Sequence, residues 1–252
     1  MKSFVLCSLL GLVAPLLGHA QQAPRERQPL SPPQWNSKLH DGDIVFIRSR
    51  SQNAALIAAL SRIDADRDDS ELADKVFTHC GIVFHDRDGW KVYEGAGRGR
   101  VLTLAEWQKE ESTRPGNNGR PGKAEPLHNV YVRRWKTPGQ MNGKLPTILA
   151  RAKALHQTRY DFGFSWSDAR AYCSELVWKA YFAAGLSFGE LPKMSHYMNA
   201  VSNEVARTIK GKLEEAKDTY RGGKGYDPNE SAVSPEDVFN SPSLVSVTDE
   251  TP

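Results

Sequence analysis

The run Tyr172-Cys173-Ser174-Glu175-Leu176-Val177-Trp178-Lys179-Ala180-Tyr181-Phe182-Ala183-Ala184-Gly185 constrains the fold more than any other stretch of this chain. Leu176, Val177, Ala180, Tyr181 and Ala184 recur at three- and four-residue spacing, which predicts a buried helix, and Gly185 offers a left-handed stop. Cys173 opens that helix. A thiol in a first turn feels unpaired backbone N–H groups and the positive end of the helix dipole, and both favour the thiolate. Glu175 pushes the other way, so a reactive Cys173 needs a basic partner. A lone cysteine on an apolar helix is equally at home as core packing, and the rest of the chain has to decide.

Strand signals cluster in the first half. Asp41-Gly42-Asp43 reads as a turn into the strand Ile44–Ile47, and Asn53 to Ile63 has helical spacing before a polar loop over 64–69. Val76 to Phe84 is β-branched and aromatic, a second strand. Asp86-Arg87-Asp88-Gly89 turns it into Trp90–Glu94, a hairpin. Val101 and Leu102 begin another extended piece, Leu104 to Lys109 a short helix, and 111–126, rich in Gly and Pro, an exposed loop that is either a lid or a variable insertion. His128 to Trp135 alternates as a strand and Leu145 to His156 is helical. After the Cys173 helix come a partly helical 192–212, a Gly-rich loop over 220–231 and a late turn or helix start at Ser234-Pro235-Glu236-Asp237. Strands first and helices flanking and following predict an α+β fold with a central, mainly antiparallel sheet.

Residues 1–20 have the signature of a secretory signal: Lys2, an apolar stretch from Phe4 to Leu17, and small residues ending at Ala20. The apolar stretch is short for a membrane span, so no stable membrane insertion is expected and export to the periplasm or medium is. Residues 21–39 read as a flexible leader, 40–247 as one domain and 248–252 as a tail. Cleavage near Ala20 would leave Cys80 and Cys173, which in an oxidising compartment could simply be one disulfide. A formal charge of +3 without a basic run excludes the usual nucleic-acid binder.

Alternation puts His79, Gly81 and Val83 on one face of their strand and Thr78, Cys80 and Ile82 on the other. With His79 in a cleft, Cys80 would point into the opposite layer, which argues against a Cys80–Cys173 disulfide and against a zinc site of His79, Cys80 and Cys173. Glu94, one strand over, is placed to accept the His79 ring N–H, or is a solvated strand end. Gly95-Ala96-Gly97-Arg98-Gly99-Arg100 opens no helix, so the dinucleotide fingerprint fails; Arg98 and Arg100 are candidates for a substrate carboxylate or simply solvated. His85, His128, His156 and His196 lack metal-ligand spacing, and neither a metal nor a cofactor is expected.

Gly42-Asp43-Ile44-Val45-Phe46, Thr78-His79-Cys80-Gly81-Ile82-Val83, Val92-Tyr93-Glu94-Gly95-Ala96, Tyr160-Asp161-Phe162, Tyr172-Cys173-Ser174-Glu175-Leu176-Val177 and Ser234-Pro235-Glu236-Asp237 together resemble the NlpC-type papain-like cysteine hydrolases. With the histidine strand ahead of the cysteine helix, the resemblance is to the circularly permuted YiiX/YebB-like branch, over residues 41–247. It implies that Cys173 is the nucleophile, His79 the base, Glu94 the group that orients the histidine and Tyr160 an aid to the oxyanion. Cys80 departs from the aliphatic residue more usual there. An exported relative of cell-wall hydrolases implies a peptidoglycan stem-peptide amide as substrate. An acyl (lipid) ester or amide is the alternative, and a binding module with idle machinery the alternative outside enzymes.

Overall fold

The computed structural model describes residues 32–48, 77–95, 97, 100–113, 129–199 and 203–247. Its centre is a six-stranded sheet of β1 (Ile44–Ile47), β2 (His79–Asp86), β3 (Gly89–Tyr93), β4 (Leu102–Thr103), β5 (Tyr131–Trp135) and β8 (Leu244–Ser246), in the order β4-β3-β2-β1-β5-β8. Every neighbouring pair is antiparallel. β6 (Arg159–Tyr160) and β7 (Arg170–Ala171) form a separate parallel pair beside the helices. All four residues of β1 are buried, as its unbroken Ile-Val-Phe-Ile requires of a strand covered on both faces.

Alternation sorts each strand between two layers. Phe46, Cys80 and Ile82 face a layer holding α4 (Leu145–His156), α5 (Cys173–Ala183), α7 (Asn203–Tyr220) and α8 (Pro235–Phe239). Val45, Ile47, Val83 and Val92 face Leu104 and Trp107 of α2 (Leu104–Thr113). Two short helices, α3 (Pro138–Met141) and α6 (Met194–Met198), complete the described elements together with α1 (Pro32–Lys38). Gly81 lets β3 pack closely on β2: a Cβ there would meet Val92 Cγ1 at 2.6 Å.

Several motifs that carry the family resemblance prove to be joints. Asp43 accepts two hydrogen bonds from the Arg134 guanidinium, each 2.8 Å, and one from the His40 N–H. Ser234 caps α8, accepting the Asp237 N–H, while Glu236 accepts the Phe77 N–H at 2.9 Å. The start of α5 is clamped on both sides of Cys173: Ser174 Oγ donates to the Val233 carbonyl, and the Val233 N–H donates to Tyr172 Oη. Gly185 closes α5 at φ +71°, the left-handed stop expected there.

Three strands, β6, β7 and β8, and the run of α7 on to Tyr220 were not expected, and two expected boundaries move. The helix expected over 104–109 runs on to Thr113, because nothing between Lys109 and Pro115 breaks it, so 111–113 are not loop and Glu111 is buried. Residues 32–38, expected in the leader, form α1, and Trp35 and Leu39 pack into the core. The segments 53–63 and 64–69, His128, the 1–20 signal and most of the 111–126 loop lie outside the described residues. Among the described residues, no helix is long and apolar enough to cross a membrane.

Candidate active site

Cys173 is the first residue of α5 and only 3% exposed. It shares one buried core with Cys80 of β2, and both Cys80 and His79 act on its thiol. The Cys80 thiol contributes most to holding the Cys173 thiol well below its ordinary range; burial opposes it, and the His79 charge assists.

His79 opens β2. Its Nε2 pairs with Glu94 Oε2 and lies 4.0 Å from Glu111 Oε1, which leaves Nδ1 as the ring nitrogen for the thiolate. Burial pulls the imidazole pKa down, but the charges of Glu111, Glu94 and Cys173 outweigh it and hold it well above the usual value. Glu94 follows β3 and is fixed from three sides. Its carboxylate accepts the Trp107 indole N–H at 2.6 Å as well as the His79 contact, and its backbone carbonyl meets His156 Nδ1 at 2.8 Å. The Trp107 ring also stacks on His79, centroids 5.8 Å apart.

Two glycines allow strand and helix to meet. A Cβ on Gly95 would lie 2.6 Å from the Tyr172 carbonyl, and one on Gly97 2.7 Å from Tyr160 N. Tyr160 also pairs with Ala171, two residues before Cys173. Burial first, and then the Cys173 charge, keep its phenol protonated, a donor on the nucleophile's side.

Cys173, His79, Glu94 and Tyr160 therefore come together. Arg100 does not join them; it pairs with Glu110 on the outer side of α2, and Arg98 lies outside the described residues. The expectation that Cys80 faces away from Cys173 is overturned. Cys80 does sit on the face opposite His79, but that is the helix layer, where Cys80 and Cys173 share one buried core. Both cysteines are free. Glu111, Trp107 and His156 went unrecognised. The first two had a signal, since Leu104, Trp107, Gln108, Glu111 and Ser112 form one helical face once the helix is continued; His156 had none.

His79, Glu94 and Glu111 also offer three ligand atoms within 4.8 Å of one another, a borderline nitrogen and hard oxygens of the kind that holds a divalent transition metal. This grouping was not expected from spacing, because its members come from β2, from the residue after β3 and from α2.

A helix-start thiol, faced by an imidazole with a carboxylate behind it on an antiparallel sheet, is the arrangement of the papain-like cysteine hydrolases. This chain belongs to the permuted papain-like amidases of the YaeF/YiiX family, which it matches over residues 38–248. It is thus an enzyme of an amide-hydrolysing class, permuted because the histidine strand precedes the cysteine helix. It is 30% identical over 224 residues to the uncharacterized protein YiiX of Escherichia coli, covering 88% of this chain and 93% of that one. A crystal structure described as metalloprotein yiiX, also from Escherichia coli, superposes with a TM-score of 0.58 at 30% identity, covering 85% of this chain and 99% of that one.

Proposed function

We propose that this chain is an exported cysteine hydrolase acting on peptidoglycan stem-peptide amides, with Cys173 as nucleophile, His79 as base and acid, Glu94 as the orienting carboxylate and Tyr160 as oxyanion donor. The observation that carries the proposal is His79, whose Nε2 is held by buried Glu94 while its charge acts on the helix-start Cys173 thiol. Proton transfer from Cys173 to His79 gives a thiolate–imidazolium pair. The thiolate attacks the amide carbonyl. The Tyr160 hydroxyl and the Cys173 N–H, at the start of α5, then face the developing oxyanion. His79 hands its proton to the leaving amine, and water, deprotonated by His79, clears the thioester. Glu111 adds a second negative charge beside the ring and favours the imidazolium.

The test is digestion of purified peptidoglycan, with products identified by mass spectrometry, beside a series of acyl esters of increasing chain length. New stem-peptide termini from wild type and none from Cys173→Ala support the proposal. Release of acyl chains alone makes the chain a lipid acyl hydrolase, a reading favoured by Phe162, an exposed aromatic ring packed at a tilt against Tyr160. Equal behaviour of the two proteins on both substrates would leave a binding module.

A second reading takes its lead from the metalloprotein description of the Escherichia coli relative. In this chain His79, Glu94 and Glu111 would be the residues to hold a divalent ion, which would supply positive charge for polarising a carbonyl or water. Elemental analysis of the purified protein, wild type beside Glu111→Gln, tests it: stoichiometric metal lost in the variant supports this reading, and metal-free active protein overturns it.

A further inference from the structure

We propose that the cavity at the far end of α5 is a second ligand site, which takes a small aromatic monocarboxylate. The cavity measures about 690 Å³, the size of a small-molecule site, and is lined by Trp166, Trp178, Phe182 and Leu191 together with Arg151 and Lys179. It lies away from the candidate active site. An α-helix rises about 1.5 Å per residue, which puts Phe182 roughly 13 Å along α5 from Cys173. The proposal is therefore independent of the chemistry at Cys173.

The charge of the lining selects an anion. Both of its charged side chains are basic, and among the described residues no acidic side chain lines the cavity with them. The carboxylates that pair with these cations lie outside the lining. Asp168 meets Arg151 at 2.7 Å and Lys179 at 3.0 Å, and Glu175 meets Lys179 at 2.8 Å. Lys179 Nζ also donates to the Ser167 carbonyl at 2.8 Å, so its three N–H groups are all engaged. Arg151 is different. Its guanidinium has five N–H donors, and Asp168 is its one partner among the described residues. The remaining donors suit a single ligand carboxylate, held by charge-assisted hydrogen bonds.

The aromatic lining selects the rest of the ligand. The Trp166 wall is set in advance: its N–H donates to Glu230 Oε1 at 3.0 Å, and Lys179 Nζ lies 4.9 Å from its ring centroid. Trp178 is buried against Phe188, with ring centroids 5.3 Å apart. Phe182, by contrast, is 68% exposed and has no ring partner among the described residues. Aromatic pairs gain energy beyond the area they bury, and an alkyl chain does not. A flat aromatic body thus draws more from Trp166, Trp178 and Phe182 than an aliphatic one of equal size.

Equilibrium dialysis of the full chain against naphthoate, a two-ring carboxylate, tests the proposal. The expected result is saturable binding of one naphthoate per chain. Naphthalene methanol, with the rings but no charge, should bind about tenfold more weakly, and decanoate, with the charge but no rings, about fivefold more weakly. Arg151→Met should weaken naphthoate about tenfold and leave naphthalene methanol unmoved. Phe182→Leu keeps apolar bulk but removes the ring, and should erase the preference for naphthoate over decanoate. Because Phe182 is exposed, that variant decides where Arg151→Met fails to fold. Unsaturable binding, decanoate binding as tightly as naphthoate in the wild type, or equal naphthoate binding in wild type and folded Arg151→Met overturns the proposal. Naphthoate-saturated protein should still be alkylated at Cys173 by iodoacetamide at the rate of the free protein. Protection of Cys173 would place the ligand in the catalytic site and overturn the proposal as well.

Discussion

Tyr160 and Asp161 are adjacent in the chain but belong to two buried charge clusters of opposite character. Tyr160 borders the site, where two glutamates face a histidine. Asp161 belongs to a cluster built on Arg221, which is 5% exposed. There the guanidinium donates to the carbonyls of Gly163, Lys224 and Gly225 and pairs with Glu230, while Asp161 accepts from Gly163 N, Ser165 N and Ser165 Oγ. Arginine never gives up its proton, so the second cluster is permanently charged and serves as a clamp on the 161–166 loop. Histidine does exchange its proton. The same carboxylates beside it therefore set a pKa rather than fix a loop. What separates scaffold from candidate site here is the cation, not the carboxylate.

The largest effects should come from breaking the titratable cluster. Cys173→Ala should lower turnover by roughly 10⁶-fold, the scale for loss of a nucleophile, with the fold intact by circular dichroism. His79→Ala should do nearly as much and abolish Cys173 alkylation below the ordinary thiol range. A turnover loss below about tenfold for either would contradict the mechanism.

Arg221→Met attacks the other cluster and should give the opposite pattern. It leaves half-buried Glu230 without its cation and the carbonyls of Gly163, Lys224 and Gly225 without their donor, at a cost of about 1–3 kcal/mol, read as a lowered unfolding midpoint in urea. In whatever fraction remains folded, the pH dependence of Cys173 alkylation should be unchanged. A shift there would show that the two clusters are coupled.

Glu111→Gln tests the comparison from within the site. Removing a carboxylate near His79 should lower the imidazole pKa, so the alkaline limb of the rate profile moves to lower pH. The sign follows from the ion pair. Activity rises as Cys173 loses its proton below the ordinary thiol range, and falls as His79 loses its own above the ordinary imidazole range. Because the His79 pKa is raised on folding, its stabilising contribution is full below the unfolded imidazole value and fades as pH climbs through the folded one. An unmoved alkaline limb in Glu111→Gln would remove Glu111 from the site.

The smallest effect concerns Glu175, beside the nucleophile on α5 yet part of neither cluster. Burial raises its carboxyl from 4.5 to about 8, against the pull of Lys179 and the Tyr172 N–H. A carboxyl that stays protonated when folded but ionises when unfolded makes the protein less stable as pH rises from 4.5 to about 8. Glu175→Gln should flatten that stretch of the stability–pH curve, measured by urea titration at several pH values. An unchanged slope would assign it to other groups.

The sequence by itself determined the α5 helix, its cysteine start and its glycine stop, the β2–β3 hairpin, and the candidacy of Cys173, His79, Glu94 and Tyr160. Those features are local: apolar spacing, turn residues and ordered short motifs declare them without reference to the rest of the chain. Strand alternation also separated His79 from Cys80 correctly. Only the tertiary structure decided which layer α5 packs on, and so brought Cys80 into one core with Cys173 where alternation alone had set them apart. It also made Glu111 and Trp107 of α2 and His156 of α4 part of the site. Alternation gives two faces but not what covers each; that follows from how strands and helices share one core, which no local pattern encodes.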